Sequence, residues 1–205
     1  MMTRRLVPLS LALALLAAPA ARAQTPAAAP AAPASGFRAE FLGQQAYGEK
    51  QILDLAEATP ADKYGWRPGE GVRSISEVYI HIVGGNYLLM GFAGYKAPAG
   101  LDREMEKKIT EKAKVIDELK KSFAHVHAGI AATTDADLDK PAKFFGRDTT
   151  VRGVLLSVVS HEFEHLGQSI AYARMNGIVP PWTAEQQKRI KEEMEKKPAD
   201  APAKK

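Results

Sequence analysis

V-R-G-V-L-L-S-V-V-S-H-E-F-E-H-L-G-Q-S-I-A-Y-A-R-M, residues 151–175, decides the fold because it predicts one long helix. Its predicted inward positions recur at alternating steps of three and four residues, the spacing of one face of a helix. We expect this helix to begin near Thr149 or Thr150 and to end at Asn176, because a glycine and two prolines follow. The predicted inward positions are Val151, Val154, Val158, His161, His165, Gln168, Tyr172 and Met175.

Three earlier segments have the same helical periodicity, and no segment alternates apolar and polar residues like a half-buried strand. The first is Phe37–Ala58, and the second opens with a capping box at Ser74–Glu77 and ends near Gly91. The third carries Val115, Ile116, Leu119, Phe123, Val126 and Ile130 at helical spacing. Four amphipathic helices predict an all-α fold, a four-helix bundle. The long polar connection through Phe92–Ile109 leaves the order of the helices open.

Two inward positions of the fourth predicted helix are histidines. His161 and His165 stand four residues apart, so both imidazoles face one point. A third histidine, His81, lies on the predicted inward face of the second helix, beside Val78 and Leu88. Gly84 and Gly85 follow His81 on the same face, where they leave room for a metal, a water or a substrate. We therefore predict a metal site formed by these three histidines.

The ligand set indicates which metals the site would hold. Three neutral imidazoles leave a coordination position open, which is typical of a catalytic zinc site. A structural zinc site is usually closed by four ligands, often cysteines, and this chain contains no cysteine. Zinc is the favoured ion, and imidazole ligands alone do not separate it from nickel, iron or manganese.

Other polar residues near the predicted site have two interpretations. Gln168 and Tyr172 lie one and two turns past His165, so they are the candidate catalytic residues that could orient a ligand. Hydrogen bonding within the core is an equally good interpretation of both. His125 is expected in solvent and His127 at the edge of the third helix's apolar stripe, so neither is predicted to be a ligand.

Residues 161–165 also spell H-E-x-x-H, the helix motif of zinc proteases, in which Glu162 would be the general base. The longer protease motif requires a histidine where this chain has Ala171. Glu185 could serve as the third ligand of another protease type, but two prolines precede it. Such proteases bind peptides along a strand edge, and no strand is predicted. Glu162 could also be a hydrogen-bond partner of a metal ligand or a residue on the flank of the helix, and we favour the second interpretation.

The N terminus has the order of a secretory signal peptide. A pair of arginines at residues 4–5 precedes the apolar run Leu6–Ala20, and A-R-A at residues 21–23 forms a cleavage site. We expect cleavage near Ala23 and a periplasmic or secreted protein, by either the general secretory or the twin-arginine route. The apolar run is too short for stable membrane insertion.

The net charge limits the classes of partner. Residues 1–23 carry three arginines and no acid, so their removal lowers the formal net charge from +4 to +1. The basic surplus belongs to the targeting segment, and it does not argue for nucleic-acid binding. The expected partner is a small-molecule substrate of unknown identity, and the bundle is compatible with a homodimer.

Composition divides the rest of the chain into three parts. Residues 24–35 are almost all alanine and proline and are expected to form a disordered linker. Residues 36–182 form one predicted domain. Residues 183–205 are a charged tail, in which Thr183 and Gln186 could cap a short helix, with disorder beyond Lys197.

Four motifs occur in a recognisable order: W-R-P-G-E-G at Trp66–Gly71, S-I-S-E-V-Y-I-H at Ser74–His81, H-E-F-E-H-L-G-Q at His161–Gln168 and M-N-G-I-V-P-P at Met175–Pro181. In this order the chain resembles the DinB/YfiT-like family of metalloenzymes over residues 37–182. The resemblance implies a four-helix bundle that binds a divalent metal through His81, His161 and His165.

The resemblance also implies a range of functions. Characterised members of that family include S-transferases and isomerases that use low-molecular-weight thiols, so we expect a metal-dependent enzyme of the hydrolase or thiol S-transferase type. The signal peptide distinguishes this chain from cytoplasmic members, and a thiol cosubstrate is scarcer in the periplasm. The alternatives are a non-catalytic metal-binding or ligand-binding bundle of the envelope and, less favoured, an H-E-x-x-H zinc protease.

Overall fold

The computed structural model describes residues 35–102 and 104–196 of the 205-residue chain. The predicted signal peptide lies outside the described residues, as do all but the last residue of the predicted linker and the tail beyond residue 196. Within the described part, the chain forms six α-helices and one β-hairpin. The helices are α1 Gly36–Ala58, α2 Ile75–Phe92, α3 Met105–Lys108, α4 Lys112–Ala132, α5 Val151–Met175 and α6 Pro181–Lys196. The hairpin consists of β1 Pro141–Phe144 and β2 Arg147–Thr150.

The four predicted helices correspond to α1, α2, α4 and α5, and together they form the bundle. Helix α1 packs against α4 and α5, and α2 packs against the same two helices. Consecutive helices α1 and α2 therefore lie at opposite corners of the bundle. The contact between α2 and α5 is the one that determines the site, because it brings His81 to the two histidines of α5.

Side-chain caps fix where the two site-bearing helices begin. At the start of α2, the Ser74 hydroxyl accepts a hydrogen bond from the Glu77 amide at 3.3 Å. The Glu77 carboxylate in turn accepts one from the Ser74 amide at 2.7 Å, so the predicted capping box is confirmed. At the start of α5, the Thr150 hydroxyl accepts from the Gly153 amide. Such a cap contributes about 1 kcal/mol of stability.

The predicted core positions are buried with few exceptions. All six apolar residues predicted for the third helix are buried in α4, and the inward stripe of α5 is at least partly buried from Val151 to Tyr172. The prediction for Met175 was wrong, because this last residue of α5 is 63% exposed. Leu88 was also misplaced: it is 54% exposed and does not share the buried face with Val78.

The hairpin contradicts the expectation of no strands. Strand β1 pairs antiparallel with β2, and Phe144 lies opposite Arg147 across the two-residue turn Phe145-Gly146. Each strand has only four residues, with little apolar alternation, so the pattern is too short to be recognised in the sequence. The hairpin contacts α2 and α5, and it adds an aromatic cluster beside the bundle.

Helix α6 begins earlier than predicted. Its first residue is Pro181, a position where proline costs nothing because the first amides of a helix lack partners anyway. Thr183 therefore lies inside the helix and is not its cap. Trp182 packs against the core, and the rest of α6 is largely exposed. Among the described residues, no helix is both long and apolar enough to cross a membrane.

Candidate metal centre

The three predicted histidines converge. His81 on α2 and His161 and His165 on α5 each place a ring nitrogen within 4.8 Å of the other two. The Nε2 atoms of His81 and His161 are 3.3 Å apart. Two nitrogens bound to one ion at the tetrahedral angle, each at about 2.05 Å, lie about 3.3 Å apart. Among the described residues, no other group of three or more histidines and acids comes together in this way. The donor set therefore fits a divalent metal ion.

Hydrogen bonds to the far side of two rings set their tautomers. Nδ1 of His81 lies 3.2 Å from Oε2 of Glu106, and Nδ1 of His165 lies 2.9 Å from Oε1 of Gln168. Both partners are acceptors, so each Nδ1 carries the proton and donates it. The Nε2 lone pairs of both rings are thereby free to bind a metal.

Burial and nearby positive charge favour the neutral form of His81 and His161. Burial, together with repulsion from His165, His81 and Arg73, lowers the pKa of His161 to about 4. Burial also lowers the pKa of His81, with Arg73 and His165 adding to the effect and Glu106 opposing it. Neutral imidazole is the form that binds metal, so protons compete weakly with an ion at neutral pH.

Glu106 is a site residue that the sequence analysis missed. It lies on α3 and accepts a hydrogen bond from Nε of Arg73 at 2.7 Å while its other oxygen faces His81. A helix of four residues has no detectable periodicity, and the sequence gives no other signal for Glu106. The long connection after α2 thus supplies the acid that orients His81.

Gly84 and Gly85 of α2 act differently from each other. A Cβ on Gly85 would lie 2.7 Å from Nδ1 of His161, so Gly85 makes room for the imidazole itself. A Cβ on Gly84 would have no atom within 4 Å, and this residue lines a cavity. Gly84 borders open space as predicted, whereas the space at Gly85 is taken by an imidazole and not by a metal, a water or a substrate.

Gln168 and Tyr172 reach the site through His165. Gln168 accepts from His165 through its oxygen and donates through Nε2 to the Tyr172 hydroxyl at 3.0 Å. The Tyr172 ring is held by an edge contact with Trp66. Neither Gln168 nor Tyr172 lines the cavity beside the site. Their hydrogen bonds orient His165, and a direct catalytic role for either stays a prediction.

A cavity of about 1060 Å³ borders the histidines. His81 and His161 form part of its wall, and its volume suits a small molecule. Helix α5 contributes Ser157, Ser160 and Glu164 to the lining, and the remaining wall is mostly apolar. A ligand in this cavity would lie directly against two of the three imidazoles.

The other two histidines of the bundle stand apart from this group. Nε2 of His127 lies 2.8 Å from Oε2 of Glu49, and this hydrogen bond raises the pKa of His127. The expectation that His125 is solvated was wrong, because its Nε2 is buried and its ring packs 5.2 Å from the ring of Tyr87. Neither His125 nor His127 belongs to the three-histidine group.

The interpretation of Glu162 as a flank residue was wrong. Its side chain is fully buried between α5 and α1, where a Cβ on Gly48 would lie 3.1 Å from the Glu162 carboxyl carbon. Neither carboxyl oxygen has a hydrogen-bond partner among the described residues. Burial raises the pKa of Glu162 to about 8, reinforced by the charge of Glu49. Glu162 therefore faces α1, whereas His161 faces α2, and neither Glu162 nor Glu185 joins the three histidines.

Solved structures share this architecture. A DinB-like protein from Bacillus cereus is 22% identical, with a TM-score of 0.61 over 69% of this chain and 93% of that one. A DinB-like protein from Bacillus subtilis is 23% identical, with a TM-score of 0.55 over 68% and 93%. A conserved protein from Enterococcus faecalis is 13% identical, with a TM-score of 0.59 over 69% and 97%. At these identities the likeness shows the fold.

The sequence itself identifies the family. The profile of the DinB superfamily matches residues 46–169, more than half of the chain, and this range contains all three histidines. Among curated proteins, none matches the chain. By the extent of the profile match, together with the fold, the chain belongs to the DinB superfamily.

Proposed function

We propose that the chain is a divalent-metal-dependent enzyme that acts on a small molecule. The observation that carries this proposal is the convergence of three imidazoles, two of which lie on the wall of a cavity of about 1060 Å³. When bound, a divalent ion supplies a positive charge that polarises an oxygen or sulfur of the substrate. Zinc is the proposed ion, since a three-nitrogen site with an open position suits it.

The protein's own residues divide the remaining tasks. Glu106 and Gln168 hold His81 and His165 in the tautomer that presents Nε2. Ser157, Ser160 and Glu164 line the cavity along one face of α5 and can hydrogen-bond polar groups of a substrate. These features suit hydrolysis or S-transfer from a thiol, the two reaction types that we propose.

Metal analysis followed by activity assays tests the proposal. Protein purified without a polyhistidine tag is expected to contain about one divalent ion per chain. The metal-loaded and chelator-treated forms are then compared on ester, amide and phosphoester substrates and in thiol-transfer assays. Turnover that disappears with chelation and returns with metal is the expected result. Protein that takes up no divalent ion would contradict the proposal.

A non-catalytic metal-binding or ligand-binding bundle is the second candidate. One observation on Glu106, the acid beside His81, favours this candidate. Both carboxylate oxygens of Glu106 already accept hydrogen bonds, one from Arg73 and the other from His81. An acid held in this way is not free to transfer a substrate proton. Stoichiometric metal binding without turnover in any of these assays would establish this candidate instead of the enzyme.

We also propose export, supported by the signal-peptide pattern of residues 1–23. N-terminal sequencing of the protein from an envelope fraction is expected to begin at Gln24. Recovery of the intact chain from the cytosol alone would contradict export.

The homodimer also stays a proposal, and light scattering of the purified protein tests it.

A further inference from the structure

The turn of the hairpin holds a large aromatic residue in an unfavourable conformation. Phe145 and Gly146 form its two central residues, with φ angles of 47° and 83°. Tight hairpin turns of this kind favour asparagine, aspartate or glycine, because bulky residues rarely adopt positive φ. Phe145 is also 63% exposed to solvent. The chain thus tolerates two unfavourable features at one position.

The Phe145 ring lies at the metal-centre cavity. It lines the cavity together with Phe144 and Leu88, the last of which is 54% exposed. The ring centroid of Phe145 is 4.9 Å from that of Phe92 and 4.8 Å from that of Phe144, so one side of the ring is held in place. The result is an apolar wall, formed by Phe145 and Leu88, on the cavity that His81 and His161 also border.

We propose that this apolar wall binds the aryl or alkyl body of a small ligand whose polar end lies at the three histidines. The inference rests on the proposed metal function, because the histidines position the polar end. It adds a ligand class: a small molecule with one apolar and one metal-binding part. Two of the acids that line the cavity are in ion pairs, Glu106 with Arg73 and Asp102 with Lys108. The other two charged lining residues, Lys96 and Glu164, have opposite signs, so the lining favours neither sign of charge on the ligand.

A ligand-binding role and a purely structural role for Phe145 predict different changes of melting temperature when this residue is replaced. Phe145→Asn places Asn-Gly in the turn, the sequence best suited to its geometry. If Phe145 serves ligand binding, this variant keeps or raises the melting temperature while it weakens the binding of apolar ligands. If Phe145 serves the fold, the variant lowers the melting temperature.

Two hydroxamates with the same metal-binding head test the wall. Acetohydroxamate has no apolar body and octanohydroxamate has a long one, so their affinities for the zinc-loaded protein are compared by calorimetry. We expect octanohydroxamate to bind more tightly, and Phe145→Asn to weaken it about five- to tenfold while acetohydroxamate is unchanged. Met175→Ala is the matched control, since Met175 is equally exposed at 63% but does not line the cavity. Unchanged octanohydroxamate affinity in Phe145→Asn would overturn the inference.

A metal-independent probe separates this inference from the proposed function. Nile red, an uncharged apolar dye, is added to chelator-treated protein, and its fluorescence enhancement is expected to fall in Phe145→Asn. Should Phe145→Asn fail to fold, Leu88→Ser on the exposed face of α2 is expected to give the same loss. A Phe145-dependent dye response in protein that binds no metal would leave the wall standing and reject the metal site. Metal binding with no dependence of either probe on Phe145 would reject the wall alone.

Discussion

Gly85 of α2 lies against the imidazole of His161 on α5, so close that a Cβ on residue 85 would lie 2.7 Å from Nδ1 of that ring. Side-chain carbons do not approach a ring nitrogen that closely, so only glycine at this position avoids a clash with the imidazole. A glycine inside a helix costs about 1 kcal/mol relative to alanine. This cost at Gly85 is explained by the position of an imidazole of the three-histidine group.

Gly85→Ala is therefore expected to displace His161 and to weaken metal binding by about tenfold or more. Gly84→Ala is the matched control, because its Cβ would meet no atom within 4 Å. The control is expected to keep its metal affinity and to gain up to about 1 kcal/mol of stability. Competition with a zinc chelator measures both affinities, and equal affinities in the two variants would contradict the steric role of Gly85.

Replacement of any one histidine of the site should remove the metal. His81→Ala, His161→Ala and His165→Ala each leave two ligands, and two imidazoles do not hold a divalent ion firmly. Helix content by circular dichroism is expected to persist, because the surrounding core positions are apolar. His127→Ala is the control that keeps its metal. Unchanged metal content in all three site variants would end the three-histidine assignment.

The bundle and the three histidines could be predicted because both follow from periodicity. The steps of three and four along α5 place His161 and His165 on the face that meets α2, and the capping box at Ser74 sets the start of α2. Such signals are local in sequence, so they can be recognised before it is known which helices pack together. His81 could be assigned because it shares the helical face of two glycines.

The residues that were missed or misplaced depend on non-local packing. Glu106 reaches His81 from a helix of four residues, and the hairpin that carries Phe145 has strands too short to show alternation. Glu162 was assigned to the helix flank because one inward stripe was assumed for α5. Helix α5 packs on both α1 and α2, so it has a second buried face, and Glu162 lies on it.

Glu106→Gln should lower metal affinity about 10- to 100-fold, the usual effect of losing an acceptor behind a metal-binding histidine. The carboxylate accepts a hydrogen bond from Nδ1 of His81, and this makes Nε2 of the same ring a stronger ligand for a metal. A neutral amide has this effect to a smaller extent. Glu104→Gln, two residues away on an exposed side chain, is the control with unchanged affinity. Chelator competition again measures the effect, and equal affinities would show that Glu106 does not support the site.

Glu77 gives the bundle an acid-sensitive start to α2. Burial by itself raises the pKa of Glu77, but hydrogen bonds from Lys107 and the Ser74 amide, with the charge of Arg67, lower it to about 2. Because the pKa of Glu77 is lower in the folded chain than its unfolded value of 4.5, the ionised side chain stabilises the fold at pH values above 4.5. This stability is lost as the pH falls from 4.5 towards 2. Because both cations are largely exposed, the expected loss is about 1–2 kcal/mol. Urea unfolding at pH 6 and pH 3 measures it, and Glu77→Gln is expected to show a smaller change between the two pH values.

Glu162 separates this bundle from a zinc protease. In a protease with H-E-x-x-H, the glutamate is the general base, so its replacement by glutamine abolishes hydrolysis with the metal still bound. Here the residue after His161 is turned by about 100° around the helix axis and packs against Gly48 of α1.

Glu162→Gln is therefore expected to keep full metal content and any metal-dependent turnover, and to leave the free energy of unfolding at pH 7 within about 1 kcal/mol of the parent. The introduced amide fills the same buried space without a charge, as the protonated acid does. His161→Ala is the paired control that loses metal and turnover together. If Glu162→Gln kept its metal but lost turnover, the carboxyl would have to reach the reacting atoms, and its burial against α1 could not be the arrangement in which the enzyme works.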